Sequence, residues 1–433
     1  MTNVVYLHKE PAPLAHFLRV GTASHRLLEQ LLLEGRLPLQ RMVLDAGSFS
    51  QQADLISTLL LRHSGNEIVL DTNVAELSTV GRAQGSVRAA PWANPDGVLT
   101  PAHFRAGTNE FDVIGKIARF AVEHGIHRVL SPAHFINGVK DQWFAHDLRS
   151  CAALRKSLDL HGGRSIAIDY PLMVSNAVLN DGAERNALIS AFASAPFASL
   201  WLRISGFGAN ATATGLRKYI SAVRDFHTLD KPLIADGIGG MSALAVSAFG
   251  AVSGISHGVA EKERFDATGW NKAPDPDRKG GGNSYMMLLP GIDRLLKKTV
   301  AQALMNAQGG RRLCSCHHRD CCPNGFEDTL KDPKGHYLRQ RAREVEALSA
   351  VPEQRRVSHF LDVELADAGR TARAAAKLKV NRTVGEMLQK NADRLDRLSS
   401  VLDDLNKTDG VATRATEFPS IAAFRETINR NRR

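Results

Sequence analysis

Eight short, mostly apolar runs constrain this chain more than any other feature of its sequence. They span residues 17–21, 41–45, 67–71, 128–131, 165–169, 200–205, 232–236 and 252–257. A polar or glycine-containing turn follows each run, and then a longer segment of helical periodicity. Runs that are apolar on both faces suit strands covered by helices on one side and by a barrel core on the other. Amphipathic segments lie between them, among them 110–124, 183–195, 213–226 and 241–249. That alternation argues for βαβ units and a parallel sheet. An open doubly wound sheet shares this grammar, but no Gly-x-Gly-x-x-Gly follows an early run. Eight strands close a parallel barrel, so the expected fold is α/β, a (β/α)8 TIM barrel, over residues 1–310. A zinc-binding module over 311–365, inserted after the eighth strand, and a helical, basic C-terminal extension over 366–433 are expected to follow.

In such barrels the chemistry sits where the strands end. The residues expected there are Asp45, Asp71, His134, Asp169, Arg203 with Ser205, Asp236 and His257. Converging carboxylates suit general acid/base or nucleophilic work; the competing role for each Asp is to cap the following helix. Two insertions interrupt the pattern, at 78–108 and 261–313, where long barrel loops form lids or binding surfaces. The second contains Lys279-Gly280-Gly281-Gly282, which lacks the Lys-Ser/Thr ending of a phosphate cradle and suits a plain loop.

Four of the five cysteines fall between Cys314 and Cys322. In a reducing compartment such a cluster points to Zn2+, held by three thiolates and one imidazole. The histidines in range are His317, His318, His336 and His359. Cys151 stands alone in a helical stretch and reads as a buried apolar residue. No apolar run approaches the roughly 20 residues that span a bilayer, and residues 1–10 carry no secretory pattern; a cytoplasmic protein without membrane contact is expected. The formal net charge is +10, of which the segment from Arg311 onward holds +6, with 24 Lys and Arg against 18 Asp and Glu. This favours polyanionic partners. Leu388, Ala392, Leu395, Leu398, Leu402 and Leu405 form an apolar stripe at helical spacing, which packs on the barrel or on a second copy of the chain.

The order Cys314-x-Cys316, a further cysteine, a charged helix opening at Tyr337-Leu338-Arg339, and then Val357-Ser358-His359-Phe360 resembles the zinc region of the tRNA-guanine transglycosylase family. The resemblance implies the ligands Cys314, Cys316, Cys321 and His359. The third cysteine comes two or three residues late, and Cys322 is the alternative to Cys321. Leu44-Asp45-Ala46-Gly47-Ser48-Phe49 is similar to the family segment bearing the general acid/base, which implies that role for Asp45 and base contacts for Ser48 and Phe49. Ile204-Ser205-Gly206-Phe207-Gly208 and the strand ending Asp236-Gly237-Ile238-Gly239 are similar to the base-binding pieces. Substrate contacts are thereby implied for Asp169, Arg203, Ser205, Gly206 and His257. The family nucleophile is an Asp on the eighth strand, and none stands there. Asp236 on the neighbouring strand is the first candidate, and Asp71 is a second source of acid/base function. The implied activity exchanges guanine in DNA or tRNA for a 7-deazaguanine such as preQ0. The alternatives are a non-catalytic, zinc-bearing barrel that binds nucleic acid or an active subunit, and a barrel lyase or aldolase acting on small molecules.

Overall fold

The computed structural model describes residues 12–38, 40–62, 65–105, 112–259, 263–273, 286–409 and 413–431. The glycine run at 280–282 lies outside the described residues. Eight parallel strands form the barrel: β1 (Ala15–Arg19), β2 (Arg41–Asp45), β3 (Glu67–Asp71), β4 (Arg128–Leu130), β5 (Ala167–Ser175), β6 (Ser199–Ser205), β7 (Leu233–Asp236) and β8 (Gly254–His257). Each pairs with the next, and β8 pairs with β1, His257 opposite Leu18, which closes the ring. The connections carry α1 (His25–Leu33), α2 (Ala53–Ser57), α3 (Val113–Glu123), α4 (Gln142–Leu160), α5 (Gly182–Phe192), α6 (Ala213–Arg224) and α7 (Gly240–Ala248). Four of these helices start at side chains that accept from otherwise unpaired first-turn N–H groups: Asp112 for α3, Asp141 for α4, Asp181 for α5 and Thr212 for α6. The fold is the expected (β/α)8 barrel.

Strand residues two apart share a face, and the barrel interior is accordingly layered. The middle layer is a dry cluster of Phe17, Val43, Val69, Leu130, Trp201 and Ile234. One step below it, Arg41, Glu67, Arg128 and Asp169 form a buried ion-pair chain, with Arg41 Nε 2.8 Å from Glu67 and Arg128 Nε and Nη2 2.7 and 2.6 Å from Asp169. One step above it lie Arg19, Asp45, Asp71, Arg203 and Asp236. The fifth strand accounts for a correction. It continues to Ser175 rather than ending at Asp169, and Asp169 pairs with Ser199, the first residue of β6. Asp169 therefore belongs to the lower layer, accepting from Arg128 and Ser199, and not to the mouth.

The chain's own C-terminal segment closes the lower end. Phe418 sits edge-on to Phe17, with the guanidinium carbons of Arg41 and Arg128 5.0 and 4.9 Å from its ring centre. After β8 come a hairpin of β9 (Met286–Leu289) and β10 (Arg294–Lys297), then α8 (Lys298–Asn306), α9 (Pro333–Ala350), α10 (Ala366–Ala376) and α11 (Arg382–Thr408). The leucine stripe of α11 is fully buried, and the helix packs on α10 and α6 of the same chain. At roughly 1.5–3 kcal/mol for each buried Leu, the stripe secures this helix without a second copy. Among the described residues, no helix is long and apolar enough to cross a membrane.

Candidate active site and metal centre

At the barrel mouth two arginines are enclosed by carboxylates. Arg19 donates through Nε and Nη2 to the two oxygens of Asp236, at 2.8 and 2.6 Å, and through Nη1 to Asp71 at 2.6 Å. Arg203 donates to Asp236 at 2.8 Å and to Asp71 at 2.9 Å. Asp45 lies 3.8 Å from Arg19 Nη1, and Glu76, on the short helix Val74–Leu77, lies 3.9 Å from Arg203 Nη1. Burial alone would raise the Asp236 carboxyl, but the two guanidiniums outweigh it and hold it at about 2. The same balance holds Asp71 well below the usual carboxylate range. Glu76 goes the other way: burial, then the charge of Asp71, raise it, and its Oε2 is buried with no hydrogen-bond partner. Side-chain exposure separates the four acids. Asp45 is 25% exposed, Glu76 12%, Asp71 8% and Asp236 1%.

Asp45, Asp71, Asp236 and Arg203 thus meet at the mouth, as their positions at strand ends implied. Asp236 is not positioned as a free nucleophile, because arginine donors occupy both its oxygens. Other implied contacts fall elsewhere. Ser48 is buried in the turn after β2, and Phe49 packs in the helical layer against Phe120 and His124, both at 4.8 Å. Ser205 accepts from the Ala267 N–H, and the Gly206 N–H donates to the Phe265 carbonyl, so both anchor the insertion after β8. His257 points out of the barrel toward α9. Its Nε2 is 2.7 Å from His16 Nε2, and its Nδ1 is 2.8 Å from the Gly258 carbonyl. The interior position on β8 belongs to Ser256, fully buried with its hydroxyl unpartnered.

Two mouth residues were missed from the sequence. Arg19 stands two residues after Phe17 on the same strand, so period two was the available signal. Glu76 carries no signal, since it reaches the mouth only through the fold of the 72–78 turn. Above the mouth, residues 263–270 cross the ends of β6 and β7: Arg264 bridges to Gly208 and Ile238, and the Phe265 ring lies 5.6 Å from the Arg203 guanidinium.

The cluster that could hold a metal ion has three cysteines and one histidine, as expected, with partly different members. Cys316, Cys321, Cys322 and His336, all buried, place their donor atoms within 4.8 Å of one another. His336 Nδ1 is 3.4 Å from the sulfurs of Cys321 and Cys322, while Nε2 faces the Leu288 carbonyl at 3.1 Å. That outer contact places the ring proton on Nε2 and leaves Nδ1 free as a ligand. Hydrogen bonds with Cys316 and Cys322, helped by Arg339, drive the Cys321 thiol toward thiolate. Three sulfurs and one imidazole fit a closed tetrahedral Zn2+ site. Cys314 and His359 are not part of it. Cys314 is buried in the main apolar core, where burial pushes its thiol up to about 12. His359 faces Glu364 at 3.5 Å, beyond the end of α9. The reason is geometric: α9 runs along the barrel and presents its own first turn to the cysteine loop, so His336 arrives before His359 can.

No protein-family model matches the chain, and no curated protein matches its sequence. Solved structures similar to it include KGPDC from Streptococcus mutans, at 13% identity over 60% of this chain and 94% of that one, with a TM-score of 0.34. A xylanase from Cellvibrio japonicus, in a thermostable mutant, has 11% identity over 57% and 86%, with a TM-score of 0.36. A GH26 beta-mannanase from Bacteroides ovatus has 12% identity over 62% and 85%, with a TM-score of 0.38. Likeness this distant carries nothing about the chemistry of the mouth.

Proposed function

We propose that the protein is a base-exchange enzyme of the guanine transglycosylase kind, acting at the barrel mouth on a nucleotide of DNA or tRNA, with zinc as a structural ion beside it. The observation that supports this reading most is the division of labour among the mouth carboxylates. Asp45 is the most exposed, and Glu76 is the one whose proton affinity burial and the charge of Asp71 raise. Asp45 attacks the anomeric carbon, the bond to the guanine nitrogen breaks, and the departing base takes a proton from Glu76. The incoming 7-deazaguanine returns a proton to Glu76 as it displaces Asp45. Asp71 and Asp236 hold Arg19 and Arg203 in place. The target nucleotide leaves its stack at a cost of roughly a few kcal/mol, offset by phosphate contacts from the basic C-terminal third.

The test is incubation of the zinc-loaded protein with radiolabelled guanine or preQ0 and a mixture of tRNA and DNA. Label is expected in one nucleic acid with the unaltered protein and in none with Asp45→Asn. A second reading, a non-catalytic zinc-bearing barrel that binds nucleic acid, is favoured by one observation: arginines mask Asp236, and β8 offers only Ser256 in its interior. Nucleic-acid binding without any exchange selects that reading. Absence of both, with a small anionic molecule retained in the mouth, selects a small-molecule barrel lyase.

A further inference from the structure

At the rim of the mouth, apart from the arginine cluster, three side chains form a relay. Asp147, on α4, accepts with one oxygen from His134 Nδ1 at 2.6 Å and with the other from the His134 backbone N–H at 2.8 Å. His134 Nε2 lies 2.9 Å from the hydroxyl of Ser78. His134 and Asp147 are buried, while Ser78, which ends the short helix after β3, is half-buried. Double attachment to Asp147 fixes the ring and keeps its proton on Nδ1, so the Nε2 lone pair faces the Ser78 O–H. This is the arrangement that makes a serine hydroxyl nucleophilic.

The surroundings are aromatic. Trp143 stacks on the His134 ring at 3.7 Å and 14°, Phe104 approaches its edge at 6.0 Å, and His146 sits 4.8 Å from Phe104. Burial, then His134, keep His146 unprotonated down to about 4, and its Nε2 is buried without a partner. A neutral, aromatic wall beside a poised hydroxyl suits an uncharged acyl group.

We propose that Ser78, His134 and Asp147 form a second catalytic site, which cleaves small esters with an aromatic or apolar acyl group. Ser78 Oγ attacks the ester carbonyl carbon while its proton passes to His134 Nε2. The carbon–oxygen bond to the alcohol breaks, and the alcohol leaves with that proton. Water then attacks the acyl-serine, gives its proton to His134, and releases the carboxylic acid as Ser78 regains its hydrogen. Asp147 stabilises the imidazolium in both halves. A strut that merely tied the insertion at Ser78 to α4 would leave the hydroxyl inert.

The full-length protein is treated with a fluorophosphonate and, separately, with p-nitrophenyl butyrate. The expected result is about one equivalent of phosphonyl label on the peptide bearing Ser78 and turnover of the ester, both absent in Ser78→Ala. Asp147→Asn slows both by about 10⁴-fold, the scale of that change in serine triads. Ser78→Ala removes one half-buried oxygen, and an unchanged melting temperature confirms that it is folded even if Asp147→Asn is not. Label on another residue, or wild-type hydrolysis no faster than that of Ser78→Ala, overturns the proposal.

Discussion

Asp236→Asn separates a chemical role for this residue from an anchoring one. Its carboxylate accepts three hydrogen bonds from two guanidiniums, at 2.6–2.8 Å. The change removes one of the charges that balance Arg19 and Arg203, and it turns an amide N–H toward a donor. Breaking a buried ion pair in this way costs about 3–5 kcal/mol. The pH dependence gives a second measure. A carboxyl held at about 2 instead of 3.8 contributes about 2 kcal/mol of stability. Because the folded value is depressed, that contribution is complete above about pH 5 and fades as the pH falls toward 2. At about 2.1 cal/mol/K of unfolding entropy per residue, a chain of 433 residues loses about 1 °C of melting temperature per kcal/mol. Calorimetry at pH 7 should therefore find Asp236→Asn about 3–5 °C less stable, with the gap from wild type narrowing as the pH falls below 4. Equal stability at pH 7, combined with loss of base exchange, would refute the anchoring role and make Asp236 a reacting group.

Purified without chelator, the protein should carry about one equivalent of zinc; His336→Ala should lose it, whereas His359→Ala and Cys314→Ser should retain it by metal analysis. Phe418→Ala should lower stability by about 3–5 kcal/mol in urea unfolding, as for a large buried aromatic, while leaving zinc content unchanged. If nucleic acid is the substrate, log affinity should fall linearly with log salt concentration, with a slope set by the number of phosphates contacted; a flat response in a filter-binding titration would remove the phosphate-based reading.

The barrel was legible because eight mostly apolar runs alternate with segments of helical periodicity. All eight runs overlap barrel strands, although the fifth shares only 167–169 with its strand. The site was legible only where a residue stands at the true end of a strand. Asp45, Asp71 and Asp236 do so and reach the mouth, and Arg203, two residues before the end of β6, joins them. Asp169 does not, because an apolar run gives no sign that β5 continues six residues further. His257 illustrates the other limit. A one-residue change in position along a strand flips the side chain to the other face, and the sequence does not show which face a lone histidine takes. The metal donors depended on how α9 lies against the cysteine loop. That is a tertiary fact, so a histidine fourteen residues after Cys322 and another much further on were equally available by spacing.

The position of His336 also bears on what a metal ion held by the cluster would do. All four donors come from the protein, they are buried, and the Leu288 carbonyl takes the outer nitrogen of His336. A closed set of this kind leaves no coordination position for substrate and acts by holding structure. What it holds is the first turn of α9, and the adjoining residues of that helix face the barrel. Tyr337 donates to Glu263 at 2.7 Å, and Arg341 Nε donates to the same oxygen at 2.7 Å. Glu263 begins the segment in which Arg264 bridges to β7's following turn and Phe265 covers Arg203. The candidate metal ligand His336 is thus linked to the roof of the mouth through its chain neighbour Tyr337 and the Tyr337–Glu263 hydrogen bond. A zinc ion held there would therefore steady the helix turn that carries Tyr337, and through Tyr337 and Arg341 the Glu263 that begins the cover over Arg203.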